Sequence, residues 1–154
     1  MAELFRAETG EGRTMTAKEY LQQIRKADRT IENKLSEISS LRVLAESVTS
    51  SWKEDVVQSS GSGDKLGDTV NRIIDLEREL NADIDRLIDL KREVMKVIDQ
   101  IEEPYCDILY KRYFRYMRWE EIALEMHYTY QWVCVLHGKA LLMVKELIEI
   151  DKKL

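Results

Sequence analysis

Apolar residues recur along most of the chain at alternating steps of three and four, the spacing of one helix face. Residues 1–14 break the rule: they are polar, hold two glycines and show no period, which predicts a disordered leader. Thr16 followed three residues later by Glu19 has the form of a capping box and predicts the start of a helix. Leu21, Ile24, Ile31, Leu35 and Ile38 then follow the helical rhythm, with Asp28 as a polar interruption. Leu41, Leu44 and Val48 continue it after a shift of frame, so the helix should reach about residue 50. Trp52 closes this segment, and the run SSGSGD, Ser59 to Asp64, reads as a flexible linker.

A second long helix is predicted from about Lys65 to Glu102. A heptad seam through Val70, Ile73, Glu77, Leu80, Ile84, Leu87, Lys91, Val94, Ile98 and Ile101 is apolar at eight of ten positions, so the helix needs a coiled-coil partner. Two partners satisfy it. The first helix can fold back as an antiparallel hairpin through the Ser/Gly linker, or a second chain can pair across a two-fold axis, with Glu77 complementing Lys91.

Beyond Pro104, which suits the first turn of a new helix, the elements shorten. Tyr105, Ile108, Leu109, Arg112 and Tyr113 predict a short helix ending in the loop Arg115 to Arg118. Ile122, Ala123 and Met126 share one face of the next helix, and His127-Tyr128-Thr129 has room only for a turn. Thr129 is a natural N-cap. Val133, Leu136, Ala140, Val144 and Leu147 then form a clean buried stripe. Short helix, turn and longer helix make a helix-turn-helix, whose second helix enters the major groove in proteins that read DNA. The fold class expected is all-α: a long helical hairpin or coiled coil (residues 15–103, linker at 59–64) followed by a three-helix, helix-turn-helix domain (104–154).

Composition narrows the classes. With 154 residues, one proline and six glycines, the chain suits one helical domain or two small ones. No run of 18 apolar residues exists, so neither a membrane span nor a signal peptide is expected. Cys106 and Cys134 lie in apolar helical pattern and read as reduced thiols. Cys134 and His137 are three apart, but no paired ligand frame accompanies them, so neither metal nor cofactor is expected. No phosphate loop or nucleophile–base motif is present, and no enzyme is expected. Net charge is −5, yet residues 104–154 carry eight Lys and Arg against seven Asp and Glu, so the acidic excess belongs to the first 103 residues. The C-terminal part alone has a plausible basic face. Arg112, Arg115 and Arg118, at steps of three around its entry loop, are the candidates for phosphate contacts.

The segment WEEIALEMHYTYQWVCVLHGKAL, Trp119 to Leu141, resembles region 4 of bacterial sigma factors: Glu-Glu-Ile-Ala, the apolar Met126, then Thr129, Val133, Leu136 and Ala140-Leu141 carry the likeness. From Met15 onward, through MTAKEYLQQI, RTIENKLSEI and HGKAL, the chain resembles small phage-encoded sigma-like regulators of the ArpU type. The resemblance implies a cytoplasmic transcription regulator, in a bacterial host cell, that binds double-stranded promoter or operator DNA, RNA polymerase, or both. It also implies that Thr129, Tyr130, Gln131, Trp132, Cys134, Val135 and His137 face the nucleic acid. Gln131 suits an adenine edge, and Tyr130 and His137 suit phosphates. Lys139 is the lone cation between Thr129 and Val144. Homo-oligomerisation through the long helices would let two modules share one site. The alternative class is a protein-interaction module, such as a polymerase-binding protein or a phage packaging adaptor. Its outward face would be Trp132, Val135 and Leu142, unless those residues complete the core.

Overall fold

A computed structural model describes residues 15–51 and 62–153. The expected leader, Trp52 and residues 59–61 of the linker lie outside them. The elements are α1 (Ala17–Ser51), α2 (Ser62–Ile98), α3 (Tyr105–Tyr113), α4 (Trp119–Met126) and α5 (Tyr130–Lys153), and no strand occurs among the described residues. The molecule is all-α. It divides into two compact units: residues 27–88, and residues 1–26 together with 89–154. The boundary expected near residue 104 falls inside the second of these.

The capping box forms as read. Thr16 Oγ1 accepts the Glu19 amide at 3.2 Å, and Glu19 Oε2 accepts the Thr16 amide at 2.8 Å, so two N–H groups that the helix cannot satisfy find partners. Ser62, Gly63 and Asp64, expected in the linker, belong to α2.

Residues 27–88 form an antiparallel helix pair within the one chain. Lys34 bonds Asp83, Ile38 packs with Leu76 and Leu80, and Arg42 bonds Glu77, so numbers fall along α2 as they rise along α1. Ile31, Leu41 and Ile73 border that small core. The seam of α2 differs from the expected one at alternate positions as far as Lys91. Buried are Leu76, Leu80, Leu87, Leu90, Val94, Val97 and, as expected, Ile98, with Ile101 past the helix end; Val70, Ile74, Ile84 and Ile88 are exposed. Shifting every second position by one residue exchanges Glu77 for Leu76 and Lys91 for Leu90, which removes two charges from the buried face. The complementarity expected between Glu77 and Lys91 therefore gives way to the pair Arg42–Glu77. Its polar interruption is Asp83, which is neutralised by Lys34.

In the other unit α5 packs on α3 and α4, and α3 on α4. Ile108, Ile122, Ala123, Val133 and Leu136 form the core, with Tyr105, Met117, Trp119 and Met126 around it. Pro104 stands at the N-cap of α3, one residue outside the turn expected to hold it, and its carbonyl accepts the Ile108 amide at 3.2 Å. Tyr20, Leu21, Ile24, Val94 and Val144 are also buried in this unit.

Candidate nucleic-acid interface

The turn between α4 and α5 is built from three residues. His127 takes the left-handed conformation (φ 57°, ψ 37°) that ends α4, and the Tyr128 amide reaches back to the Ala123 carbonyl at 2.9 Å. Thr129 then caps α5: its hydroxyl accepts the Trp132 amide at 3.2 Å and its carbonyl accepts the Val133 amide at 3.1 Å. Thr129 is exposed, but its hydroxyl is committed to the helix start.

From that cap, Val133, Leu136, His137, Ala140, Val144 and Ile148 turn inward. Outward, on the opposite side, are Tyr130, Gln131, Trp132, Cys134, Val135 and Lys139. With the exposed cap Thr129, six of the seven residues proposed to face nucleic acid, and Lys139, thus share solvent. Trp132, Val135 and Leu142 are 45, 47 and 61% exposed, so they do not complete the core. They run along one stripe with Lys139, whose ammonium lies 5.7 Å from the Trp132 ring centre, a cation–π distance. The Tyr130 hydroxyl is held above its ordinary 10, first by the Cys134 thiol one turn on.

His137 is the exception, and the phosphate role expected of it does not fit its position. Four residues after Val133 and three before Ala140, it belongs to the buried stripe and is 8% exposed. Its Nε2 shares a 2.8 Å hydrogen bond with the Tyr113 hydroxyl, and the Trp119 ring meets it edge-on at 4.5 Å. Burial, followed by the positive charges of Lys18 and Arg112, pushes its pKa from 6.5 down to about 4. Burial likewise raises Tyr113 to about 12. Both partners are neutral at pH 7, so the imidazole is a core hydrogen-bonding group.

The three loop arginines all have partners within the chain. Arg112 donates to the Met117 carbonyl at 2.8 Å and stacks on Trp119 with its guanidinium carbon 4.4 Å from the ring centre. It braces the loop into α4 and is poorly placed for phosphate. Arg115 bonds both oxygens of Glu125, at 2.9 and 3.2 Å, and Lys111 joins that carboxylate at 3.3 Å. Arg118 faces Glu121 at 3.4 Å, while Glu121 Oε2 accepts the Arg118 amide at 2.8 Å and caps α4. These cations hold the Glu121 and Glu125 carboxyls below their usual range, the backbone bond leading for Glu121 and Arg115 for Glu125. Arg115 and Arg118 keep side chains 47 and 76% exposed, so a phosphate can compete for them. Lys111 and Trp119 were not anticipated as members of this network. The spacing of Trp119 from Arg112, two helical turns' worth of residues across a loop, carries no periodic signal.

Among the described residues no group of three or more His, Cys, Asp and Glu is placed to hold a metal ion, and no helix is long and apolar enough to cross a membrane. Comparison of the chain with protein-family models, curated proteins and solved structures finds no match.

Proposed function

We propose that the protein is a DNA-binding transcription regulator of the phage sigma-like type, which offers the first three turns of α5 to the major groove. The observation that carries this reading is the sidedness of α5: capped at Thr129 and anchored by Val133, Leu136 and His137, it presents Tyr130, Gln131, Trp132, Cys134, Val135 and Lys139 outward. Gln131 suits bidentate contact with adenine, and Val135 and the Trp132 ring suit thymine methyl groups. Arg115, Arg118 and Lys139 supply the phosphate contacts, the two arginines by exchanging Glu125 and Glu121 for the duplex.

Selection of duplexes from a random pool at low and moderate salt tests this. With about three phosphates neutralised, log affinity should fall against log salt with a slope of roughly −3. Gln131→Ala should relax the selected sequence and weaken the best duplex about tenfold. Lys139→Glu should weaken all duplexes alike. No retention at low salt, or retention indifferent to both variants, refutes the reading.

A second reading is favoured by the exposed Trp132, Val135 and Leu142, and by Leu124 on α4 at 79% exposure. Here the outer face of α5 docks on a protein, RNA polymerase among the candidates. An apolar contact of that kind keeps its strength as salt rises, which separates it from the first reading.

A further inference from the structure

We infer that the helix pair of residues 27–88 is itself half of an interface, and that its occupant is a second copy of this chain packed antiparallel about a two-fold axis near residue 79. The inference does not depend on what α5 binds. Val70, Ile74, Glu77, Asn81, Ile84 and Ile88 follow one another at steps of 4, 3, 4, 3 and 4, a second heptad seam on α2 distinct from the buried one. The four aliphatic members are 43, 47, 36 and 49% exposed. Leu35, half exposed, lies on the same side: it precedes Arg42 by two helical turns, and Arg42 bonds Glu77 within the seam. Elsewhere on the pair the ion pairs Lys34–Glu79 and Arg72–Glu37 line the surface.

The order of residues selects the occupant. Reversed about residue 79, the seam matches itself: Val70 meets Ile88, Ile74 meets Ile84, and Glu77 meets Asn81, each contact occurring twice, as an isologous two-fold interface requires. A parallel partner would set Glu77 against Glu77. In the antiparallel arrangement the Asn81 amide donates to the Glu77 carboxylate, whose charge Arg42 already offsets. A polar pair in an otherwise apolar seam fixes register at some cost in stability. The nineteen residues from Val70 to Ile88 span about 27 Å of helix, and a face two helices wide offers roughly 1,100 Å² over both copies. That is near the lower limit for a specific stable interface, so the dimer should be concentration-dependent.

Light scattering and sedimentation of the full chain over a concentration series test this. The expected result is a rise from one chain mass to two, abolished by Ile74→Asp with Ile84→Asp at unchanged helix content; both positions are exposed, so the fold should tolerate them. A wild-type chain that stays monomeric to about 500 µM, weaker than millimolar association, overturns the proposal, as does a double variant that still dimerises. Register has its own readout. With Cys106 and Cys134 replaced by Ser, Glu77→Cys and Asn81→Cys chains mixed under oxidant should cross-link to each other in preference to themselves. Preferential Glu77→Cys self-linkage would overturn the antiparallel register even if a dimer formed.

Discussion

The two units hold their shapes by different means. The C-terminal unit wraps α3, α4 and α5 round Ile108, Ile122, Ala123, Val133 and Leu136, and ties α3 to α5 with the buried bond between Tyr113 and His137. The helix pair of residues 27–88 has a core cluster of Ile38, Leu76 and Leu80, and flanks it with the ion pairs Lys34–Asp83, Arg42–Glu77 and Arg72–Glu37. Burial is worth roughly 1.5–3 kcal/mol for each aliphatic side chain taken out of water, whereas exposed ion pairs such as Arg42–Glu77 and Arg72–Glu37 contribute about 0–1 kcal/mol. The comparison teaches where specificity of shape is invested. The unit proposed to present a recognition face is closely packed behind it, while the helix pair leaves much of its apolar surface outside.

Truncation in the two regions should separate them most. Ile122→Ala, at a fully buried position, should destabilise the C-terminal unit by about 2–5 kcal/mol. Val43→Ala on the outer side of α1, 64% exposed, should change stability by no more than about 0.5 kcal/mol. Denaturant titration followed by helical circular dichroism checks both, and equal losses would break the contrast.

Acid should find the C-terminal unit next. The His137 pKa is depressed in the folded chain, so between about 4 and 6.5 the unfolded state binds the extra proton. Stability from this source is therefore complete above about pH 6.5 and is lost as pH falls towards 4, a change on the order of 3 kcal/mol. The lowered Glu121 and Glu125 carboxyls act only below their ordinary 4.5. Unfolding midpoints between pH 7.5 and 4.5 should thus slope in the wild type and flatten in His137→Leu.

What could be read from the chain was whatever repeats. The capping box at Thr16, the N-cap at Thr129 and the stripe Val133, Leu136, Ala140 and Val144 are periodic or local signals that appear where their residues place them, while Leu147, expected to end that stripe, is half-buried and Ile148 is buried beside it. The α2 frame was harder, because Ile73, Leu80, Leu87, Val94 and Ile101 belong to either of two heptad registers; only the choice between Glu77 and Leu76, and between Lys91 and Leu90, decides. The spacing of His137 from Val133 and Ala140 marks it as inward, against the outward position that the resemblance to sigma region 4 implies. Glu121 stands three residues beyond Arg118, a local spacing of the kind that sequence does show. The partners of Arg112 and Arg115 were not legible: they depend on a loop that folds back, with Tyr116 in the left-handed region, and sequence spacing does not measure loops.

Smaller effects sharpen the same contrast. Tyr113→Phe keeps the ring and removes only the hydroxyl, leaving a buried imidazole nitrogen without its partner; a loss of about 1–3 kcal/mol is expected in the C-terminal unit. In the helix pair the corresponding polar contact is Lys34–Asp83, which holds the Asp83 carboxyl below its usual range, chiefly through the Lys34 hydrogen bond. Its contribution is therefore present above the unfolded carboxylate pKa and is lost as pH falls below it, outside the window in which His137 acts. Lys34→Met should lower the melting temperature, because it leaves Asp83 in the seam without its Lys34 partner, against the exposed Arg86. Lys34→Met with Asp83→Leu should restore it, since an apolar pair removes both charges from a partly buried position. Recovery in the double variant would show that the ion pair interrupts this seam without stabilising it beyond an apolar one. A double variant less stable than either single one would mean that Asp83 and Lys34 hold the pair in register, and that the helix pair is as specifically built as the unit it was contrasted with.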